Sequence, residues 1–182
     1  MEPDAALVAR VAAGDREAFG ALVTRYQASV RRVTRAVTGN ADDGDDAAQD
    51  AFLSALDRLE TFDPTRSFGP WLMRIASNAA IDLVRRRAVR SAASLEPNVA
   101  AAGPGPASDA EAAEIRAELA AALAELPERQ RVAVTMFDVE GYAHSEIAAV
   151  LGVPEGTVRS DVFHARRALR KALRVYGPEA EE

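Results

Sequence analysis

Basic and aromatic side chains share one side of a helix that the sequence predicts near its C-terminal end. Val158, Val162 and Ala165 recur at steps of four and three residues, which places them on one inward face. Guanidinium groups bind phosphates and guanine edges, and an aromatic ring among exposed arginines is better explained by base edges than by water. The opposite face is therefore predicted to bind DNA. Its residues are Arg159, Ser160, Phe163, His164, Arg166, Arg167 and Arg170.

A second set of side chains suits DNA that has lost its base pairing. Trp71, Arg74, Asn78 and Arg85 follow spacings of three, four and seven residues, which aligns them on one stripe of a predicted helix. Aromatic rings stack on unpaired bases, arginines hold the backbone, and an amide reads the edge of a flipped base. Trp71 alone would be interpreted as a core residue with a local partner for its N–H. The arginines at 85–90 shift the interpretation toward single-stranded DNA.

The elements that position the first set form a helix-turn-helix. Ile147 and Val150 give a short first helix an apolar stripe, and Gly152 supplies a left-handed turn. Pro154 suits the first position of a second helix, where Glu155 favours the positive N-terminal end. An ordinary basic helix in an α-bundle would explain the charges but not the glycine and proline positions.

Three further helices are predicted in the N-terminal half, of which residues 19–37 form the first. The second is expected to begin near Asp45 or Asp46, with Leu56 among its core residues. The third is expected to begin with Pro70 and to carry the tryptophan stripe. The outer face of the second helix presents Gln49, Asp50 and Leu53.

The whole chain is predicted to be all-α, because helical periodicity recurs and no convincing strand alternation does. We expect two small helical domains, residues 1–90 and 112–176, the second containing the helix-turn-helix. Residues 91–111 are rich in Ala, Gly, Pro and Ser, which predicts a flexible linker. Residues 177–182 form a short acidic tail.

Charge is segregated along the chain, so the net charge of −6 does not argue against a nucleic-acid partner. Residues 42–60 carry seven acidic groups and one arginine, whereas 74–90 carry five arginines and one aspartate. Residues 153–176 hold six basic and two acidic groups. Phosphate binding depends on the local field, which is positive in both predicted DNA-binding segments.

Metal and enzyme functions find little support in the residues. The acidic cluster at 42–46 fails as a calcium loop: a loop starting at Asn40 would place Asp45 where glycine is required and Ala51 where a bidentate glutamate belongs. Its acids suit the start of a helix instead. The chain has no cysteine, and its two histidines have no carboxylate and nucleophile grouped around them. No metal, no cofactor and no catalytic residue are expected.

Four segments in order resemble the sigma factors of the extracytoplasmic-function (ECF) group, which are promoter-recognition subunits of bacterial RNA polymerase. The segments read VAAGDREAFGALVTRY, DDAAQDAFLSAL, FDPTRSFGPWLMRIASNAAIDLVRRR and LPERQRVAVTMFDVEGYAHSEIAAVLGVPEGTVRS. The resemblance covers nearly all of residues 7–173. It implies a subunit that binds core polymerase and directs promoter recognition, melting and initiation. The alternative is a one-component helix-turn-helix regulator, which would act without being a polymerase subunit.

The resemblance also implies which parts of the chain contact polymerase and which contact promoter DNA. The helix with Gln49, Asp50 and Leu53 matches the part that docks on the β′ coiled coil of polymerase. In such proteins the second domain reads the minus-35 element of promoter DNA while resting on the β flap. Residues 91–111 would thread the polymerase near the RNA exit path. The loop and helix that capture a flipped minus-10 base during melting are matched by Asp63, Thr65, Arg66, Ser67 and Asn78.

Family expectation adds a cognate anti-sigma factor that would mask both polymerase-facing surfaces. The chain itself should work in the cytoplasm without inserting in the membrane, because no apolar run approaches the roughly 20 residues that cross a bilayer.

Several positions depart from the family pattern. Ala47 and Ala48 stand where larger aliphatic residues are usual, which should weaken packing. Ala143 and His144 replace a usual Ser and Tyr, which removes an N-cap hydroxyl from the helix-turn-helix. Asp161, like His164, occupies a position often basic in relatives. We expect Asp161 on the exposed face, either accepting a hydrogen bond from a cytosine amino group or lying over phosphates.

Overall fold

A computed structural model describes residues 2–93 and 110–173. Every regular element within these two ranges is a helix, which confirms the all-α prediction. Most of the predicted linker, 94–109, and the acidic tail lie outside the described residues. No helix within the described ranges is long and apolar enough to span a membrane.

The first domain contains four α-helices and one short 3₁₀ turn. They are α1 (Asp4–Ala12), α2 (Arg16–Thr38), α3 (Ala41–Asp57), the turn Leu59–Thr61 and α4 (Phe68–Ala93). The second domain follows with α5 (Ala110–Ala124), α6 (Glu128–Val134), a π-helical turn (Thr135–Val139), α7 (His144–Leu151) and α8 (Glu155–Ala172).

Two predicted helix starts were wrong by a few residues. The helix that was expected near Asp45 is α3, and it begins earlier, at Ala41, because the Asn40 side chain accepts a hydrogen bond from the Asp42 N–H at 2.8 Å. Its acidic residues then fill the first turn, where the helix dipole favours them. Helix α4 begins at Phe68, so that Pro70 lies inside its first turn, where a missing N–H costs no hydrogen bond.

Helices α2, α3 and α4 pack against one another and bury the core of the first domain. Leu22, Val30 and Leu72 are almost wholly removed from solvent. Ala47 is fully buried, so its small side chain allows close packing of α3 rather than leaving a loose surface. A Cβ at Gly44 would lie 2.4 Å from Arg35 Cγ, which shows how closely α2 and α3 approach.

The predicted helix-turn-helix is present as α7, a tight turn and α8. Gly152 adopts φ 66°, the left-handed conformation that the turn requires. Pro154 precedes the first helical residue of α8 rather than occupying it. Helix α7 has no side-chain cap from Ala143, as expected, but Glu146 accepts the Ala143 N–H at 2.9 Å and satisfies one free donor.

The two domains pack directly on each other. Val132, Met136 and Ile147 of the second domain belong to the same buried cluster as Val30 and Leu72 of the first. Helix α4 contacts α7, and α2 contacts α6. One continuous core therefore joins the helix-turn-helix to the bundle that carries the tryptophan stripe.

Candidate nucleic-acid and polymerase interfaces

The predicted DNA-binding face of α8 is exposed. Val158, Val162 and Ala165 are buried on the opposite side, as the periodicity predicts. The Phe163 side chain is 63% exposed, which is unusual for a large aromatic residue and leaves it available to a partner. The other exposed side chains of this face are Arg159, Ser160, His164, Arg166, Arg167 and Arg170.

The arginines of this face differ in their existing partners. Arg166 donates from Nε to Asp138 at 2.9 Å, and its guanidinium lies 5.0 Å from the centre of the Phe137 ring. The hydrogen bond that Arg166 donates to Asp138 raises the pKa of Arg166 above its usual value. Arg159 pairs with Glu155 one turn earlier on α8. Within the described residues, Arg167 has no such ion pair.

The expectation that Asp161 lies on the exposed face was wrong. Its side chain is buried, with 4% of the residue exposed, and Oδ2 accepts a hydrogen bond from Arg129 Nε at 2.6 Å. Position 161 is three residues after Val158 and four before Ala165, so the helical period places it on the inward stripe. A charged residue there is tolerated because Arg129 of α6 neutralises it.

Asp161 therefore faces α6 and not DNA. The signal for this burial was present in the spacing of the apolar residues of α8, although its partner could not be found from spacing alone.

The tryptophan stripe divides into an anchored ring and exposed polar groups. Trp71 is half-buried, with its ring centre 5.2 Å from Phe62 and 5.5 Å from Phe68. Arg74 and Asn78 are exposed and border the same cavity of about 380 Å³ as Trp71. The core interpretation and the binding interpretation of Trp71 are thus compatible: one part of the ring packs inward while another lines an opening.

Arg85 does not join that cavity. It lies two turns further along α4, where its Nη2 is 3.3 Å from Glu128 Oε2 of the second domain. The structure therefore brings Trp71, Arg74 and Asn78 together and places Arg85 at the domain boundary.

The loop before α4 is held in shape by its own hydrogen bonds. Asp63 Oδ1 accepts from the Thr65 N–H at 2.9 Å and from the Thr65 hydroxyl at 2.6 Å, which lowers the pKa of Asp63. Asp63, Thr65, Arg66 and Ser67 are all exposed. Such local bonds pre-organise a loop for binding.

The same loop faces the second domain across a cleft of about 380 Å³. Thr65, Arg66 and Ser67 line one wall together with Trp71 and Arg74. The other wall comes from α7 and contains Ser145, Glu146, Ala149 and Val150.

The predicted polymerase-binding residues lie beside an apolar groove of about 480 Å³ between α2 and α3. Gln49 and Leu53 line this groove, and Leu53 is 55% exposed. Asp50 is exposed but borders a different depression, next to Arg86 of α4. The structure thus separates Asp50 from the groove.

Sequence reasoning missed three groove residues. Leu56 was expected in the core, but it is 39% exposed and lines the groove with Phe19 and Val23. The spacing of three between Leu53 and Leu56 was the available signal for a shared outer face.

No group of His, Asp or Glu within the described residues is arranged to hold a metal ion.

Comparisons with known proteins match both domains. Residues 22–90 match Sigma-70 region 2, and residues 116–169 match Sigma-70, region 4. The ECF RNA polymerase sigma factor SigM of Mycobacterium tuberculosis is 38% identical over 172 residues, which span 93% of this chain and 84% of SigM. RNA polymerase sigma-H factor of Pseudomonas aeruginosa is 36% identical, with 95% of each chain covered.

Solved structures agree with this match. The structure of CnrH in complex with the cytosolic domain of CnrY has a TM-score of 0.73 and 30% identity, and covers 97% of this chain and 100% of CnrH. The sigma factor RpoE of Bartonella quintana, solved with the anti-sigma factor NepR, has a TM-score of 0.75 at 22% identity, covers 87% of this chain and 98% of RpoE, and supports the fold.

Both matched regions and the curated relatives support a polymerase subunit and not the one-component regulator. Order and spacing of the two regions agree with the four sequence segments that first indicated the family. The chain belongs to the extracytoplasmic-function group of RNA polymerase sigma factors.

Proposed function

We propose that this sigma factor captures an unpaired minus-10 base in the cavity lined by Trp71, Arg74 and Asn78. The observation that carries the proposal is this cavity, where an exposed amide and a guanidinium lie beside a half-buried indole. A ring anchored by Phe62 and Phe68 offers a rigid stacking surface, which costs little conformational entropy on binding. Asp63, Thr65, Arg66 and Ser67 contact the same strand from the adjoining loop.

Helix α8 reads the minus-35 element in the major groove. Its exposed face carries Phe163 and His164 between arginines, so base-edge contacts and phosphate contacts come from one surface. Six further side chains of this face contact DNA together with Phe163: Arg159, Ser160, His164, Arg166, Arg167 and Arg170.

The groove between α2 and α3 docks on the β′ coiled coil of core polymerase. Its apolar lining suits the face of an amphipathic helix, and Gln49 and Leu53 stand at its edge. Asp50 contributes a flanking charge rather than a groove contact.

The functional units are residues 1–90, the linker 91–111, residues 112–176 and the tail 177–182. An anti-sigma factor is a further partner, by analogy with the complexes that CnrH and RpoE form. The protein acts in the cytoplasm, where polymerase works, and has no catalytic activity of its own.

Run-off transcription with purified core polymerase and a genomic promoter library tests the proposal. We expect transcripts that require this protein and share two sequence elements upstream of their start sites. Core polymerase alone is the control. Transcripts identical with and without the protein would overturn the proposed function.

A further inference from the structure

The π-helical turn between α6 and α7 carries a carboxylate that binds an arginine of helix α8. Arg166 Nε donates to Asp138 Oδ2 at 2.9 Å, and Arg166 Nη2 donates to Oδ1 of the same carboxylate. Two parallel hydrogen bonds between a guanidinium and a carboxylate fix orientation as well as distance. The two side chains are 44% and 33% exposed, so a phosphate of bound DNA can reach the pair.

The backbone of this turn holds Asp138 in place. The Glu140 N–H donates to the Thr135 carbonyl, five residues earlier, at 3.2 Å, which is the hydrogen bond of a π-helix. Thr135 and Met136 are buried, whereas Asp138 is exposed. Single π-helical turns are rare and are often found at functional sites. The core thus anchors one end of the turn and fixes the carboxylate beside α8 in the absence of DNA.

An aromatic ring holds Arg166 from a second direction. The guanidinium carbon lies 5.0 Å from the centre of the Phe137 ring, which is within the range of a cation–π contact. The centre of the Phe137 ring lies 4.2 Å from that of His144, the first residue of α7. Position 166 directly follows the buried Ala165, so it stands at the border of the exposed face of α8. A guanidinium at this border suits a backbone phosphate rather than a base edge.

The other arginines of the DNA-binding face are less engaged. Arg159 donates to one oxygen of Glu155, one turn earlier on α8, and the two side chains are 68% and 42% exposed. Exposed pairs of this kind contribute little. Arg167 and Arg170 form no ion pair with any residue that the structure describes. Arg166 is therefore the arginine of this face whose charge is most firmly neutralised.

A neutralised arginine contributes little to DNA binding that does not depend on sequence. Each phosphate that a cation neutralises releases counterions, and this release supplies essentially all of the non-specific affinity. Arg166 must either leave Asp138 to bind a phosphate, or bind it as part of a pair without net charge. In both cases the gain in affinity is smaller than for an arginine without an ion pair, such as Arg167.

We infer that Asp138 competes with DNA phosphate for Arg166 and thereby lowers the affinity of α8 for duplexes of every sequence. This inference rests on the proposed function, because that function assigns duplex DNA to α8. A genome offers a vast excess of non-promoter sites, which would retain a free protein that bound them tightly. Asp138 therefore leaves more of the free protein available to core polymerase.

The first test removes the charge of Asp138. Asp138→Asn keeps the size of the side chain, and fluorescence anisotropy measures binding of the full chain to a minus-35 duplex and to a scrambled duplex of equal length, at two salt concentrations. We expect the variant to bind both duplexes about fivefold more tightly and to steepen the salt slope by about one. Because the gain depends on Arg166, adding Asp138→Asn to Arg166→Ala should give a gain below about twofold.

Glu155→Gln is the matched control, because it removes an equal charge from the same domain. We expect a gain below about twofold, since the Glu155 pair is exposed and uses one carboxylate oxygen. Equal gains for Glu155→Gln and Asp138→Asn would show that affinity follows net charge and not the Arg166 pair. A full gain from Asp138→Asn in the Arg166→Ala background would also exclude competition for this arginine.

Two further outcomes would overturn the inference. Unchanged affinity of a folded Asp138→Asn protein for both duplexes would show that no competition takes place. Weaker binding, or a gain confined to the minus-35 duplex, would show that Asp138 instead orients Arg166 toward a base.

The second test measures the consequence for polymerase by run-off transcription. Each protein is incubated with an excess of the scrambled duplex before core polymerase and promoter are added, and its transcription is divided by that obtained without the scrambled duplex. We expect this ratio to be about threefold lower for Asp138→Asn than for the parent. Equal ratios would overturn the role of Asp138 in keeping the protein available to polymerase. A parent that supports no transcription even without the scrambled duplex would instead contradict the proposed function.

Discussion

Individual arginines on α8 differ in how readily they can turn to DNA. Arg166 is already held by Asp138 and lies over Phe137, so binding phosphate would exchange one anion for another. Arg167 has no comparable ion pair within the described residues, and its full charge is available to neutralise a phosphate.

We expect Arg167→Ala to weaken binding to a minus-35 duplex about tenfold and to lower the salt slope by about one. Arg166→Ala should cost less affinity, because the parent side chain must first leave Asp138. Fluorescence anisotropy at two salt concentrations measures both. A larger loss for Arg166→Ala would mean that its ion pair is an orienting contact and not a competitor.

Substitution of Asn78 tests whether its side-chain amide contacts a flipped base in the cavity. We expect Asn78→Ala to leave closed-complex formation intact and to reduce the permanganate reactivity of promoter thymines at least fivefold, because its partner is a base exposed only by melting. Val89→Ala, at an exposed position of the same helix outside the cavity, is the matched control. A pre-melted bubble template should rescue the variant; equal reactivity in variant and parent would exclude the base contact.

At the scale of the helices, ion pairs between residues of different helices fix how those helices are positioned. Arg129 and Asp161 connect α6 to the middle of α8, so they set how the DNA-binding face of α8 is presented. Removing the cation would leave a buried carboxylate without its partner, which is costly even though the arginine itself is half exposed.

We expect Arg129→Ala to lower the free energy of unfolding by about 2 kcal/mol. Asp161→Arg should be at least as destabilising, since it faces two guanidiniums toward each other at a buried position. The double variant Arg129→Gln with Asp161→Asn should recover most of the loss. Urea denaturation of the full chain measures all three, and an unchanged midpoint for Arg129→Ala would show that Asp161 finds another partner.

A substitution at the exposed edge of the groove between α2 and α3 tests whether this groove binds core polymerase. Leu53→Glu introduces a charge into an apolar contact, and we expect it to reduce co-elution with core polymerase at least tenfold while leaving the fold intact, because Leu53 is 55% exposed. Val89→Glu, at a more exposed position of α4, is the control. Undiminished co-elution of a folded Leu53→Glu protein would remove the groove from the interface.

At the scale of the whole molecule, the shared core and the Arg32 to Glu140 ion pair couple domain docking to stability. Burial opposes ionisation of Glu140, but hydrogen bonds from Arg32 and Ser29 outweigh it and lower the pKa of this carboxyl below 4.5. A group with a lowered folded-state pKa stabilises the folded form above its unfolded pKa, and this stabilisation is lost as the pH falls through the folded value.

We therefore expect Glu140→Gln to be less stable than the parent by a constant amount near neutral pH. The difference between the two proteins should shrink as the pH falls below 4.5, where the carboxyl is protonated first in the unfolded parent, and should vanish once the pH has fallen through the lower pKa of the folded parent. Urea denaturation of both proteins from pH 7 downward measures this difference and cancels the contributions of groups common to both. A difference that stays constant into acid would mean that the charge of Glu140 contributes nothing to the free energy of unfolding.

Local signals in the sequence were sufficient to predict the helices, the helix-turn-helix and the exposed basic face of α8. Helical periodicity, glycine turns and caps depend on residues a few positions apart, so they can be interpreted without the fold. Three of the nine residues that line the cavity followed in the same way, because Trp71, Arg74 and Asn78 share one stripe of one helix.

Only the tertiary structure decided which charged groups are paired, and that the two domains dock. Asp161 meets Arg129 across 32 residues, Arg166 meets Asp138 across 28, and Arg32 meets Glu140 across 108. Each pairing depends on how helices cross, and helix crossing is set by the complementary shapes of packed surfaces. A periodic pattern states which side of a helix is apolar, but the partner that covers that side is determined by the packing of the whole chain.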